Sequence, residues 1–165
     1  MVTILHSLED MCEHCGCRGV EPIAQLMDEH LEMLELSGQI KRSLAAGDRA
    51  LAETKLALLG ERLVPHARRE ERGVFAALEE QGDFAYEVRQ LEADHRAFDD
   101  IFDELDVTAP DFEQRVKALL ADLSLHIDRE NLGIFPVSVV TLGAEGWEMV
   151  DRAHAEEEEA STPAH

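Results

Sequence analysis

Aromatic residues make up only 5% of this sequence, with one Trp and one Tyr, and its 165 residues include just five Pro and ten Gly. That leaves little from which to build a turn-rich fold of short strands. Ala, Leu, Glu and Asp are abundant instead, a composition that favours helices. Positive charge is also scarce: 15 Lys and Arg face 36 Asp and Glu, a formal net charge of −21. A phosphate backbone would be repelled, which excludes nucleic acid as a partner. The three cysteines all fall within Cys12 to Cys17, too close together to serve as a disulfide framework. No apolar run is long enough to span a membrane, so no membrane association is expected. Met1 to Asp10 lacks a basic region followed by an apolar stretch, so a secretory signal is not expected and cytoplasmic residence is.

The length suits one domain with a single solid core. Apolar residues recur at steps of three and four along four long stretches. The first seam reads Val20, Ile23, Met27, His30, Leu34 and ends near Ala46; the second reads Leu56, Leu59, Leu63, His66, Glu70, Val74, Ala77 and ends near Gln81. The third is Phe84, Val88, Leu91, His95, Phe98, Phe102, Leu105, and the fourth is Phe112, Val116, Leu119, Leu123, His126, Glu130, Ile134, Val137. Gly47-Asp48 and Gly82-Asp83 read as helix stop followed by N-cap, and Asp111 caps the fourth helix. Pro65 predicts a bend beside His66 with the Glu61 carbonyl freed, and Pro136 a bend or an end. Short connections make successive helices antiparallel neighbours. The expected fold is all-α: an up-down-up-down four-helix bundle over 20–142, an irregular Cys-containing N-terminal arm over 1–19, and a short acidic helix with a disordered tail over 143–165.

Each seam carries a polar interruption. Each of His30, His66, His95 and His126 lies roughly 13 to 18 residues from the turns beside it, so at about 1.5 Å per residue the four fall within one layer. His66-Ala67-Arg68-Arg69-Glu70 and His126-Ile127-Asp128-Arg129-Glu130 each place a carboxylate one turn from an imidazole on the same face. This HxxxE element is the sequence's one internal echo. A buried, unpaired carboxylate costs several kcal/mol, and two in one layer repel each other as well. Two carboxylates with four imidazoles suit iron, manganese or zinc, and inward Glu and His on facing helices are a known way to build a dinuclear site. Glu71 and Glu92 lie off the seams, as solvated groups or outer partners of the ligands; Arg68, Arg69 and Arg72 read as a solvated face with salt bridges to neighbouring acids. Tyr86 belongs to core or surface.

These residues resemble the hemerythrin-like (HHE cation-binding) family over about residues 20–140. The resemblance rests on Asp28-Glu29-His30, His66 to Glu71, Asp94-His95, and His126 to Glu130 followed by Ile134-Phe135-Pro136. It implies a non-heme centre of two iron ions, with an oxo or hydroxo bridge as the expected addition. His30 and His66 would bind one iron, His95 and His126 the other, and Glu70 and Glu130 would bridge. The family includes oxygen carriers, sensors of oxygen, nitric oxide or redox state, iron-responsive domains and peroxide-degrading proteins. Oxygen-carrying hemerythrins have a further histidine one turn from the first on the third helix. Here those positions are Leu91 and Asp99. Leu91 cannot bind metal; Asp99 is a candidate ligand, a partner for an imidazole, or an exposed side chain. The missing histidine leaves an open or water-filled position, which favours reaction with oxygen, peroxide or nitric oxide over reversible carriage.

Cys12, His14, Cys15 and Cys17 form a second candidate site. Thiolates there would select zinc or iron–sulfur chemistry, with zinc the expected ion; a redox pair of Cys12 with Cys15 is the rival, and a mobile arm the plain alternative. The leading expectation is a protein that binds, senses or turns over a small oxidant (O2, H2O2 or NO), with peroxide-degrading activity as the candidate reaction. A non-enzymatic iron or redox sensor acting on a protein partner, and an iron store, are the alternatives.

Overall fold

The computed structural model describes residues 16–162, and among these the structure is helical with no strand. A 3-10 turn at Cys17–Gly19 leads into α1 (Glu21–Ala45), with Pro22 in its first turn, where a missing N–H costs nothing. Next comes α2 (Arg49–Glu70), which runs through a π turn at Glu71–Phe75 into α3 (Ala76–Gln81). After α4 (Ala85–Glu104) comes α5 (Phe112–Arg129), which likewise passes through a π turn at Glu130–Ile134 into α6 (Phe135–Thr141). The last helix is α7 (Ala144–Ser161). No helix among the described residues is long and apolar enough to cross a membrane.

The stop signals act largely as read. Gly47 and Gly82 take φ of 74° and 91°, the left-handed conformation that ends a helix, and the Asp48 side chain accepts from the Leu51 N–H at 3.0 Å. Two caps differ from expectation. Phe84, not Asp83, occupies the N-cap of α4, and Asp111 holds the N-cap of α5 without a side-chain bond to it. Pro65 lies inside α2 without ending it. Pro136 does not end its helix either. The π turn just before it widens the coil, with the Phe135 N–H bonded to the Glu130 carbonyl, and so relieves the clash a proline ring makes in a tight α-helix.

Two apolar clusters form the core. One gathers Ile23, Leu26 and Met27 with Val74, Phe75, Leu78, Val88, Leu91, Ile134 and Phe135. The other gathers Met33, Ile40 and Leu44 with Leu56, Leu59, Leu63, Phe98, Phe112, Val116 and Leu123. Along each of the four long helical stretches, the polar seam residues fall where members of one cluster give way to those of the other, Ile127 of the second cluster lying just past His126. Of the expected irregular arm over 1–19, only its end is described, and there Cys17 is fully buried in the first cluster beside α1. Cys12, His14 and Cys15 lie outside the described residues. The expected tail is also shorter, since Ala160 and Ser161 still belong to α7.

Helix α7 lies across the π turn after Glu70. A Cβ at Gly73 would stand 3.3 Å from the Val150 Cα and 3.4 Å from the Ala153 Cβ, so glycine permits that approach. Gly133 holds the matching place in the second π turn, and a Cβ there would meet nothing within 4 Å. Gly73→Leu is therefore expected to lose about 1–3 kcal/mol in denaturant unfolding. Gly133→Ala should be neutral or gain up to ~1 kcal/mol. Equal costs at both sites would contradict this packing.

Candidate metal centre

The two HxxxE elements sit at the ends of α2 and α5, each immediately before or at a π turn. Such turns interrupt helical register and recur at functional sites. His30 from α1 and His95 from α4 complete the layer. All six side chains are buried, and Glu70 and Glu130 are fully so.

Their donor atoms fall into two overlapping groups, His30 with His66, Glu70 and Glu130, and His95 with His126, Glu70 and Glu130, each with its ligand atoms within 4.8 Å of one another. The Nε2 atoms of His30 and His66 are 2.9 Å apart, and those of His95 and His126 are 3.0 Å apart. Glu70 turns Oε1 to His66 Nε2 at 3.0 Å and Oε2 to His95 Nε2 at 3.3 Å. Glu130 turns Oε2 to His30 Nε2 at 3.0 Å and Oε1 to His126 Nε2 at 2.8 Å. Each carboxylate thus offers one oxygen to each group. Although these distances lie in ion-pair range, none of the four oxygens has a partner in hydrogen-bond geometry. Donors surrounding one ion at about 2.1 Å lie roughly 3 Å from one another in an octahedral shell. Buried oxygens without donors, converging with imidazole nitrogens at such spacings, fit metal.

Every imidazole is held from behind through Nδ1. His66 is paired with Glu29 Oε2 at 2.6 Å, His95 with Glu71 Oε1 at 2.8 Å, His126 with Asp94 Oδ2 at 3.0 Å and His30 with Asn131 Oδ1 at 2.8 Å. Donation from Nδ1–H fixes the tautomer and leaves the Nε2 lone pair facing inward. Arg69 binds Glu29 and Arg129 binds Asp94, while Phe135 stacks on His30 and Phe75 on His95. The arrangement therefore occurs twice, once for each group, with Asn131 in one where Glu71 stands in the other.

The electrostatics follow from this packing. Burial alone would lower the His30 and His95 imidazoles, but the carboxylates overcome it. Glu130 and Glu70 raise His30, and Glu70 and Glu71 raise His95, each from 6.5 to about 10. Burial pushes the Glu70 carboxyl up, yet the surrounding imidazoles bring it well below the usual carboxylate range. Glu29 behaves likewise: burial raises it, and His66 with Arg69 lower it to about 2. A field that holds protons this firmly also attracts a cation.

The six seam residues are brought together; Asp99 is not. It is exposed and belongs to neither group, and Glu71 rather than Asp99 backs His95. Arg69 makes the expected salt bridge, to Glu29, but from a buried position rather than a solvated face, since it is 8% exposed. Glu29, Asp94 and Asn131 had no assigned role, although each directly flanks a seam His or Glu in sequence. Cys17, the one described member of the cysteine cluster, is buried in the first apolar cluster, and nothing in the described structure supports zinc there. Outside the layer, a surface groove of about 810 Å³ reaches Asp94, Phe98 and Arg129, with the Phe98 ring edge-on to His126 at 5.3 Å.

These features define a helical domain with a buried histidine–carboxylate centre able to hold metal. The family model of the hemerythrin HHE cation binding domain matches residues 21–138, and the chain belongs to that family. Comparison with curated proteins and with solved structures gave no match.

The metal-free chain is expected to have bell-shaped stability against pH. The contribution of His30 and His95 is full below 6.5 and lost as pH rises through about 10. That of Glu29 is present above 4.5 and lost as pH falls toward about 2. Thermal melting of chelator-treated protein checks this, and a melting temperature still climbing toward pH 10 would contradict it.

Proposed function

We propose that this protein holds two non-heme iron ions and uses them to bind, sense or turn over a small oxidant: oxygen, peroxide or nitric oxide. The observation that carries the reading is the pair of buried carboxylates, each with one oxygen directed at each histidine pair and none hydrogen-bonded. His30 and His66 hold one ion, His95 and His126 the other, and Glu70 and Glu130 bridge. The two core clusters support an up-down-up-down course, because one unites the end of α1 with the start of α2 and the end of α4 with the start of α5. When bound, iron supplies redox change and exchangeable coordination positions. The chain supplies the rest. Nδ1 partners fix the imidazoles, Phe75 and Phe135 shield two of them, and the exposed Asp99 leaves the His95 group without a further side-chain ligand.

Loaded protein should contain two irons per chain, show near-ultraviolet charge-transfer bands and change its spectrum when peroxide is added. Continued oxygen release would mark peroxide-degrading turnover; a spectral change without turnover would mark binding or sensing. Glu130→Ala should lose metal and thermal stability together, and retention of two irons in that variant would refute the bridging role.

A specific contact favours the sensor version. Helix α7 sits on the π turn following Glu70, with Arg68 and Glu157 paired at 3.7 Å and His154 bonded to Gln25 at 3.0 Å. A rearrangement at Glu70 would reach α7 directly. Limited proteolysis of metal-free, reduced and oxidised forms tests this. Faster cleavage within 144–161 in one form supports sensing through α7, and identical cleavage in all three excludes it.

A further inference from the structure

The ligands of the two halves match, and so does the charge of the groups behind them except at one outer contact. His66 is backed by a carboxylate from Glu29, His126 by Asp94 and His95 by Glu71, but His30 is backed by the neutral amide of Asn131. The residue after Glu70 is thus acidic, while the residue after Glu130 is not. Each group also has one arginine behind it. Arg69, 8% exposed, is paired with Glu29 and offsets the single carboxylate behind the His30/His66 group. Behind the His95/His126 group stand two carboxylates, Glu71 and Asp94, and Asp94 is paired with Arg129, whose side chain is 49% exposed and screened by water. The outer charge therefore differs by about one unit between the groups.

A carboxylate accepting Nδ1–H pushes electron density toward Nε2 and strengthens it as a ligand, and such outer partners are worth about 10–100-fold in metal affinity. A neutral amide does this less. The shared bridges cannot cancel the difference, because Glu70 and Glu130 each serve both groups.

We propose that the two cation positions are unequal and fill in order, the His95/His126 position first and the His30/His66 position second, with Glu71 and Asn131 setting the gap. The inference rests on the dinuclear reading above. It makes the His30/His66 position the one whose occupancy follows metal supply, and a chain at limiting metal carries one ion between His95 and His126.

The test uses the full chain loaded with Co2+ and equilibrated against increasing chelator at neutral pH, with ions per chain counted by native mass spectrometry. The wild-type chain should lose its two ions in separate steps, with midpoints at least about tenfold apart. Asn131→Asp should move the easily lost ion toward the tightly held one, by ~10-fold or more, and merge the steps. Glu71→Gln should weaken the tightly held ion and leave the other step in place. Neither variant removes a proposed ligand, and both nearly preserve side-chain volume. A single step in the wild-type chain, or a shift of the tightly held ion by Asn131→Asp, overturns the proposed order while leaving a dinuclear centre intact. Fewer than two Co2+ per chain at saturation overturns the dinuclear reading and the order with it.

Discussion

The structure depends on the burial of two glutamates whose four carboxylate oxygens have no hydrogen-bond donor. A protein domain is stable by only about 5–15 kcal/mol, and a buried carboxylate without compensation costs several. The pair is therefore intelligible only with positive charge between the carboxylates and the four imidazoles facing them. Protons can supply that charge, which is why His30 and His95 are raised to about 10. Cations supply it better, because one ion accepts several of these donors at once. The two apolar clusters on either side of the layer exclude water and strengthen whichever charge resides there.

Around this layer the chain builds an outer ring. Residues adjacent in sequence to a ligand reach across to a neighbouring helix: Glu29 beside His30 backs His66, Asp94 beside His95 backs His126, and Glu71 beside Glu70 backs His95. Each helix thereby orients a ligand on another, so the ring couples the helices as well as the imidazoles. Among the described residues, helix α7 covers this ring on the side of the first π turn. It lies over Gly73 and leaves Gly133 open, while the groove beside Asp94 and Arg129 remains at the surface on the other side. The two halves are thus alike in ligands and unlike in surroundings, one enclosed by α7 and the other nearer to solvent.

Much of this was legible in the sequence, because helical periodicity reports which face of a helix a residue occupies. The seams located the four histidines and both glutamates, and Gly47 and Gly82 marked helix ends through the left-handed backbone they adopt. Periodicity says nothing about which side chain from another helix meets that face. Glu29, Asp94 and Asn131 flank the seams, where a polar residue is equally at home in water, and only the packing assigns them. The exposure of Arg69 was misjudged for the same reason: charge suggested solvent, but the side chain is buried and paired with Glu29. Cys17 read as one of a group of soft ligands by proximity along the chain; its burial inside the first apolar cluster is a matter of packing that such proximity does not report. The π turns have no period of their own to read, and Pro136 gave only half of that signal.

Anomalous diffraction from crystals of the iron-loaded chain tests the central claim most directly. The account predicts two iron peaks about 3.5 to 4 Å apart, both between Glu70 and Glu130, each bound by the Nε2 atoms of its own histidine pair. One peak, or iron bound outside this layer while Glu70 and Glu130 remain buried without it, would contradict the account.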